Sequence, residues 1–226
     1  MATTGTTTFN LDLNTVVEEA FERCGSELRT GYDLRTARRS LNLLLAEWAN
    51  RGVNLWTFEE GTIPMVQGTI SYSLPSDTVD IMDCVMRTGT GTSQSDINIS
   101  RISLSTYASI PNKNTQGRPI QVWVDRQAEN PSINVWPVPD QSSTYTFVYW
   151  KLRRLEDAGD GVNTQDVPFR FLPCLVAGLA YYLSMKIPDA MNRIEMLKAS
   201  YEEQWALAAE EDREKADIRL VPRISY

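Results

Sequence analysis

The chain has 226 residues, which is long enough to bury a sizeable core, as one domain with an elaboration or as two small domains. Its hydrophobic content of 42% is ordinary for a globular protein, and its formal net charge is −7. The acidic balance argues against a dedicated nucleic-acid binder, which normally carries a basic face, but it allows a protein through which DNA passes without being gripped.

The sequence contains no histidine. That absence removes Ser-His-Asp and Cys-His nucleophiles, His-ligated zinc and the usual general base near neutral pH. It also contains no Gly-rich phosphate loop and no Asp-x-Asp cluster. We therefore expect a protein that is not an enzyme and has no cofactor and no metal. Cys24, Cys84 and Cys174 are odd in number and lie among apolar residues, which predicts buried thiols.

The N-terminal region predicts a polar arm followed by two helices. Residues 1–10, MATTGTTTFN, lack the basic and apolar regions of a signal peptide, so we expect the product to stay in the cytoplasm. Asp12 can cap a first helix, which Gly25 ends. The apolar positions of this helix are Leu13, Val16, Val17, Ala20, Phe21 and Cys24.

A second helix is predicted from about Leu34 to Asn50, and Gly52 ends it. Its apolar face consists of Ala37, Leu41, Leu44, Leu45 and Trp48. Its opposite face carries Arg35, Arg38, Arg39, Asn42, Glu47 and Arg51. Such a face can touch a partner or a phosphate backbone, although a solvated face or ion pairing with an acidic neighbour is the default expectation.

From Val53 to about Arg154 the apolar period changes from helical to two, which predicts an inserted antiparallel β region. Short polar segments separate the strands, and the longest of them, TGTGTSQSD at 88–96, is predicted to be a loop. The predicted strands are Leu55–Phe58, Thr62–Pro64, Ile70–Leu74, Ile81–Arg87, Ile99–Ser103, Ile120–Val124, Ile133–Trp136 and Tyr145–Leu152.

Aromatic residues are dense in the second half of the β region. Trp123, Trp136, Tyr145, Tyr149 and Trp150 suggest a platform on which a sugar could stack. Trp123 sits between Val122 and Val124, however, and Trp136 alternates with Asn134, as expected for half-buried strand residues that form cross-strand pairs. Core packing is therefore the preferred interpretation.

The longest apolar segment runs from Val167 to Met185 and predicts a helix that is buried nearly all round. Gln165 or Asp166 can cap it, while Pro173 delays its regular start to about residue 172. Its apolar run of about fifteen residues is shorter than the roughly 20 that a bilayer requires, so we expect no membrane span. Ala177, Gly178 and Ala180 keep one side thin enough for a close helix neighbour.

After Pro188, Asp189 can cap a last helix from Ala190 to about Lys215. Its apolar stripe consists of Ala190, Ile194, Leu197, Tyr201, Trp205 and Ala208. The C-terminal sequence ADIRLVPRISY has an apolar, arginine-bearing pattern in which Pro222 prevents helix. Such a segment can add to a partner's sheet or groove, or fold back on its own subunit.

Together these patterns predict an α+β fold: an antiparallel helical bundle of about four helices with an inserted antiparallel β domain and an extended C-terminal tail. The predicted segments are residues 1–52 (arm and first two helices), 53–155 (β domain), 156–215 (last two helices) and 216–226 (tail).

The order of these elements resembles the head-to-tail adaptor (connector) proteins of short-tailed double-stranded DNA phages. The local sequences that strengthen the likeness are RRSLNLLLAEWANRGVNLWTFEEG at 38–61, ISYSLPSDTVDIMDC at 70–84, GRPIQVWVDR at 117–126, INVWPVPD at 133–140, and LVAGLAYYLSMKIPD followed by LKASYEEQWALAAEEDREKA. The resemblance covers nearly the whole chain, and it rests on order and pattern because no single motif is a catalytic signature.

The resemblance implies a structural virion protein that forms a homo-oligomeric ring, with 12 copies in the family, beneath the portal protein. It implies that the β region faces the downstream tail (nozzle) protein and that double-stranded DNA passes through without sequence-specific binding. It places the protein at the head–tail interface of the virion, after assembly in the host cytoplasm. The residues that it implies for portal contact are Ile218, Arg219, Leu220, Val221, Arg223, Ile224 and Tyr226.

Two other functions stay open at this point. A carbohydrate-recognising module of a tail or spike would use the aromatic residues of positions 120–150. An enzyme that degrades cell wall or nucleic acid ranks last, because it would need a pair of carboxylates in a cleft and no such motif is visible.

Overall fold

The computed structural model describes residues 4–7, 9, 11–29, 31–52, 55–159 and 162–213. Within them the chain is a mixed α+β protein with five α-helices and two four-stranded sheets. It divides into two compact units. The helical unit combines Met1–Trp56 with Leu155–Tyr226, and the β unit is the continuous segment Thr57–Arg154.

Helix α1, Leu13–Cys24, has the two ends that the sequence predicts. The side chain of Asp12 accepts a hydrogen bond from the amide of Thr15 at 2.8 Å, which satisfies one of the free amides of the first turn. Gly25 adopts a left-handed conformation with φ +76°, and its amide donates to the last turn. All six predicted apolar positions are buried, so the prediction of this helix is confirmed.

Helix α2, Gly31–Arg51, begins three residues before the predicted start and ends just before Gly52, as expected. Its five predicted apolar positions are buried. The indole of Trp48 is fully enclosed and contacts the rings of Phe171 and Trp205 at centroid distances of 5.6 Å and 5.2 Å. This helix therefore contributes its whole apolar face to the core of the helical unit.

Helix α4, Leu172–Ser184, is the centre of that core. A single 3-10 turn, Phe169–Phe171, precedes it, and Pro173 lies at the start of the α-helix, where a missing amide is tolerated. The expectation that Gln165 or Asp166 caps the helix is wrong: Phe171 holds the capping position, without a side-chain hydrogen bond. No helix in the described part of the chain is long and apolar enough to cross a membrane.

Gly178 explains how two helices approach α4 so closely. A Cβ atom at this position would lie 2.9 Å from both methyl carbons of Leu44 and 2.9 Å from Cε2 of Tyr201. These two residues belong to α2 and to the last helix, α5, Ile194–Glu211. The predicted thin side of α4 is therefore confirmed, with Gly178 at its centre.

Helix α5 begins later than predicted, because Pro188–Arg193 forms a 3-10 helix and Asp189 does not cap α5. Pro188 fixes its own φ and removes one amide, which suits the tighter 3-10 turn at a helix start. The α-helix ends at Glu211 instead of about Lys215. Helix α4 contacts α1, α2 and α5, while their arrangement as an antiparallel bundle stays a prediction.

The β unit contains two sheets that share one apolar core. The first has the order β1-β8-β3-β4, with β1 at Phe58–Pro64, β8 at Tyr145–Arg153, β3 at Thr78–Thr88 and β4 at Ser95–Asn98. The second has the order β2-β7-β6-β5, with β2 at Ser71–Ser73, β7 at Ser132–Trp136, β6 at Gln121–Asp125 and β5 at Ser100–Arg101.

Three local predictions in this region are wrong, and one short helix was missed. The segment Leu55–Thr57 is a 3-10 helix, not a strand. Strand β5 pairs in parallel with β6, so the β region is not purely antiparallel. The predicted loop 88–96 contains a 3-10 turn and the start of β4, because Asp96 pairs with Arg87 across the β3–β4 hairpin. The short helix α3, Leu104–Ser109, was not predicted.

Candidate interaction surfaces

The seven residues that the sequence predicts for portal contact lie outside the described residues, which end at Arg213. Their role therefore stays a prediction. They are Ile218, Arg219, Leu220, Val221, Arg223, Ile224 and Tyr226.

The end of the described chain, at Asp212 and Arg213, is held in place by side-chain contacts. The carboxylate of Asp212 has only 4% of its side chain exposed and forms an ion pair with Arg170. Its other oxygen accepts a hydrogen bond from the amide of Leu55 at 3.0 Å. Because Asp212 is bound on both sides, the start of the C-terminal segment is fixed beside the 3-10 turn Phe169–Phe171.

An open apolar groove of about 480 Å³ lies beside that turn, between α1 and α4. We call it the α1–α4 groove; it is lined by Phe9, Leu11, Thr15, Glu19, Arg23, Phe169, Leu172, Pro173 and Val176. Two of these residues leave large apolar side chains in solvent, since Phe9 is 67% and Phe169 63% exposed. Their rings stack on each other at a centroid distance of 5.9 Å.

Phe9 also has an unusual backbone. Its φ of +45° is in the left-handed region, where a bulky side chain costs about 1–2 kcal/mol. The arm thus turns sharply to place the ring over Phe169, while the ring itself gains little burial. An exposed aromatic pair at the mouth of an apolar groove is the kind of surface that another chain segment covers.

The polar edge of the α1–α4 groove is formed by α1. Glu19 and Arg23 form an ion pair at 2.9 Å, one helical turn apart. On the same helix Glu18 and Glu22 are exposed. The groove therefore combines an apolar floor with a polar edge whose one carboxylate, Glu19, and one cation, Arg23, are paired with each other.

A second surface depression, of about 450 Å³, lies on the charged face of α2. This arginine groove is lined by Tyr32, Arg35, Arg38, Arg39 and Asn42. Arg35 donates to the carbonyl of Gly31 and Arg39 to the hydroxyl of Thr36, both at 3.3 Å, so neither bond leaves the helix. Guanidinium groups gathered in this way can bind carboxylate or phosphate groups.

The other end of the same α2 face has a different role. Arg51 donates to both oxygens of Glu202 at 2.9 Å and 2.8 Å, and to Glu47 at 2.6 Å. The bond to Arg51 is the largest cause that lowers the pKa of Glu202. The expectation of ion pairing with an acidic neighbour is thus confirmed for Arg51, which fastens α2 to α5.

Buried polar groups continue this connection into the core. The indole of Trp48 donates to the hydroxyl of Tyr201 at 3.0 Å, and Tyr182 donates to Glu47 at 2.6 Å. Burial, together with the bond to Glu47, raises the pKa of Tyr182 to about 12. These hydroxyls are therefore neutral hydrogen-bonding groups near neutral pH, and they serve to position helices.

The aromatic residues of the β unit do not share one surface. Trp123 and Trp136 belong to the second sheet, whereas Tyr145, Tyr149 and Trp150 belong to the first. Trp123 stacks on Tyr107 of α3 at 5.3 Å, and the indole of Trp136 donates to the carbonyl of Asn112. The ring of Trp123 and the indole N–H of Trp136 thus have partners inside the unit, which favours the packing interpretation for these two residues.

The three cysteines are buried and free, as predicted. Burial raises the pKa of Cys24 to about 11 and the pKa values of Cys84 and Cys174 to about 12. Thiols with such values are poor nucleophiles near neutral pH. Among the residues that the structure describes, no group of three or more Cys, Asp or Glu side chains could hold a metal ion.

Sequence reasoning found the arginine face but missed the α1–α4 groove. The sequence signal that could have indicated an exposed ring at this groove was the pair Phe169 and Phe171. Two aromatic residues two positions apart in a turn do not point the same way, so one of them is expected to face solvent. Phe171 is 1% exposed and packs in the core, whereas Phe169 points outward. Pairing Phe169 with Phe9 of the arm required the tertiary structure.

A comparison with protein families now identifies the chain. The family model described as SU10 adaptor protein matches residues 12–223, which includes both units and most of the C-terminal segment. No curated protein matches the chain. The match covers far more than half of the sequence and agrees with the resemblance seen in the order of elements. The chain therefore belongs to the SU10 adaptor protein family, whose members are structural phage proteins that connect head and tail.

Proposed function

We propose that the protein forms a ring beneath the portal, links the capsid vertex to the tail and forms part of the DNA channel. The observation that carries this proposal is the family match over residues 12–223. The family shows the head–tail adaptor role itself, and the ring, the portal contact and the channel are the parts we propose.

Two different surfaces on the helical unit support a ring. A closed ring is built from a heterologous interface, in which one face of each copy meets a different face of the next. We propose that the α1–α4 groove and the arginine groove, one apolar and one cationic, lie on two such faces. We propose a ring of 12 copies, the number implied by the family resemblance.

We propose that residues 218–226 hold the ring to the portal. In this segment Ile218, Leu220, Val221, Ile224 and Tyr226 would fill apolar grooves, while Arg219 and Arg223 would pair with acidic groups of the portal. The ion pair between Asp212 and Arg170 supports this role, because it fixes the base from which the segment extends.

The net charge of −7 supports a channel through which DNA slides. Carboxylates along a wall repel the phosphate backbone, and the screening length of about 8 Å at physiological salt limits that repulsion to the region near the wall. We further propose that the β unit binds the downstream tail (nozzle) protein, and that the assembled ring lies at the head–tail interface of the virion.

Native mass spectrometry of the purified chain, alone and mixed with the portal ring of the same virus, tests the proposal. We expect a full ring of copies to add to the portal. A chain that lacks residues 216–226 retains every described helix and should stay folded, by circular dichroism, without adding.

The matched control is the chain with Val162→Ser, a change at a residue that is 78% exposed and far from the tail in sequence. This variant should add like the natural chain. Undiminished docking of the truncated chain would show that the portal contact lies elsewhere, and failure of the natural chain to add would overturn the ring proposal.

A further inference from the structure

We propose that in the free subunit the α1–α4 groove binds the subunit's own C-terminal segment, residues 214–226. The segment that engages the portal would then be held on its own subunit until the portal competes for it. The docking itself rests on the geometry of the helical unit, and only its consequence for portal attachment rests on the proposed function.

The first argument is where the segment starts. The ion pair between Asp212 and Arg170 places the last described turn next to Phe169, the neighbour of Arg170 in the chain and a wall of the groove. Thirteen residues follow Arg213. At about 3.3–3.6 Å per extended residue, these residues can span some 43–47 Å. The α4 wall of the groove, from Leu172 to Val176, is only about 6 Å long along the helix axis. The segment is therefore long enough to cover the groove.

The second argument is the chemistry of the two surfaces. The floor of the groove is apolar, and Phe9 and Phe169 leave most of their side chains in water. The described core of the helical unit is already filled by its own helices. The apolar residues of the tail thus have this groove as a nearby surface to cover, which would remove both phenyl rings from solvent.

The third argument is charge. Residues 218–226 carry Arg219 and Arg223 and no acidic side chain. The α1 edge of the groove carries Glu19 and Arg23, which form an ion pair with each other, so it presents no unpaired cation. A segment that is apolar and cationic therefore suits a groove that is apolar with a neutral edge, whereas the arginine groove would repel it.

Disulfide trapping in the full chain tests the docking without any portal. Thr15 lines the groove and is exposed, so the pair Thr15→Cys and Leu220→Cys should form an intramolecular disulfide under mild oxidation. The control pair is Ala206→Cys with Leu220→Cys, because Ala206 is exposed on α5 near the base of the tail and outside the groove. The three native thiols are buried with raised pKa values and should not interfere.

We expect the groove pair to close about tenfold faster than the control pair, as a monomer on a non-reducing gel, because docking raises the effective concentration of the tail thiol. Equal rates for the two pairs would overturn the proposal. Disulfide-linked dimers that disappear on dilution would also overturn it, since the occupant would then be the tail of a second copy.

A second readout uses tryptic cleavage after Arg219, measured by mass. Phe169→Asp places a charge in the groove wall at an exposed residue, so it should accelerate this cleavage several-fold, whereas Val162→Asp should not. If the tail is cleaved equally fast in all three chains, it is not held by the groove.

These assays separate the inference from the proposed function. If the groove pair forms no intramolecular disulfide but the chain still docks on the portal through residues 216–226, the further inference is refuted and the proposed function is not. A chain that forms the disulfide but does not dock even after the disulfide is reduced would refute the proposed function alone.

Discussion

The contacts within the β unit and those within the helical unit differ in how far apart they lie in the sequence. The β unit is one continuous segment, and its strands pair within Thr57–Arg154. The helical unit joins the two ends of the chain, and its polar contacts cross the sequence: Trp48 bonds to Tyr201 and Arg51 to Glu202. Closing the long loop between these partners costs chain entropy, which the apolar core and the polar contacts between the two ends of the chain must offset.

The units also differ in what their surfaces expose. The aromatic side chains Trp123 and Trp136 of the β unit have ring or hydrogen-bond partners within the unit. The helical unit exposes Phe9 and Phe169 and gathers arginines in a groove. This difference indicates that the helical unit carries more of the surface available for assembly, which agrees with its role in both proposals above.

The largest expected effect that distinguishes the units comes from Trp48→Ala. The side chain is fully buried, contacts two aromatic rings and donates to Tyr201. Loss of a buried tryptophan typically costs about 3–5 kcal/mol. Hydrogen exchange followed by mass spectrometry should show faster exchange in α1, α2, α4 and α5, with the strands of the β unit unchanged.

The control for this experiment is Trp150→Ala, at a half-buried position in β8. It should accelerate exchange in the β unit and leave the helices protected. If either substitution accelerates exchange throughout the chain, the units unfold as one, and the comparison between them does not describe their stability.

A smaller effect is expected from Gly178→Ala. The added methyl group would lie 2.9 Å from Leu44 and Tyr201, and overpacking of this kind costs about 1–3 kcal/mol even though alanine favours the helix. Gly31→Ala is the matched control, because nothing lies within 4 Å of its Cβ position at the start of α2. Urea unfolding should show a lower midpoint for the first variant and an unchanged or higher one for the second.

The comparison also explains which parts of the fold could be predicted. Helix α1 followed directly from the sequence because its period, its cap at Asp12 and its stop at Gly25 agree. The late start of α5 was missed because the acidic side chain of Asp189, a plausible cap, lies inside a 3-10 turn. Strand β4 was missed because Ile97 is the one apolar residue among its four.

The interaction surfaces were predictable to different degrees. The charged face of α2 needs only helical spacing, so four of the five residues of the arginine groove were predicted, and Tyr32 was not. The α1–α4 groove joins Phe9 to Phe169 across 160 positions, which no local pattern can indicate. The portal-binding segment was named from composition and family resemblance, and it stays a prediction until the docking experiment is done.

The smallest effect is expected in the β unit, at the start of α3. The hydroxyl of Ser103 accepts a hydrogen bond from the amide of Thr106 at 3.2 Å and caps this short helix. Replacing a capping serine by alanine costs about 1 kcal/mol. Because α3 carries Tyr107, which stacks on Trp123, Ser103→Ala should change the emission of that tryptophan and lower the urea midpoint slightly.

Ser73→Ala is the control, since Ser73 is an exposed serine in β2 and lies outside α3. It should leave both the emission and the midpoint nearly unchanged. Equal effects of the two substitutions would mean that packing of Tyr107 alone holds α3, and that the cap predicted by its geometry contributes nothing measurable. The β unit would then depend on side-chain stacking at this site, and its contrast with the hydrogen-bonded helical unit would become sharper.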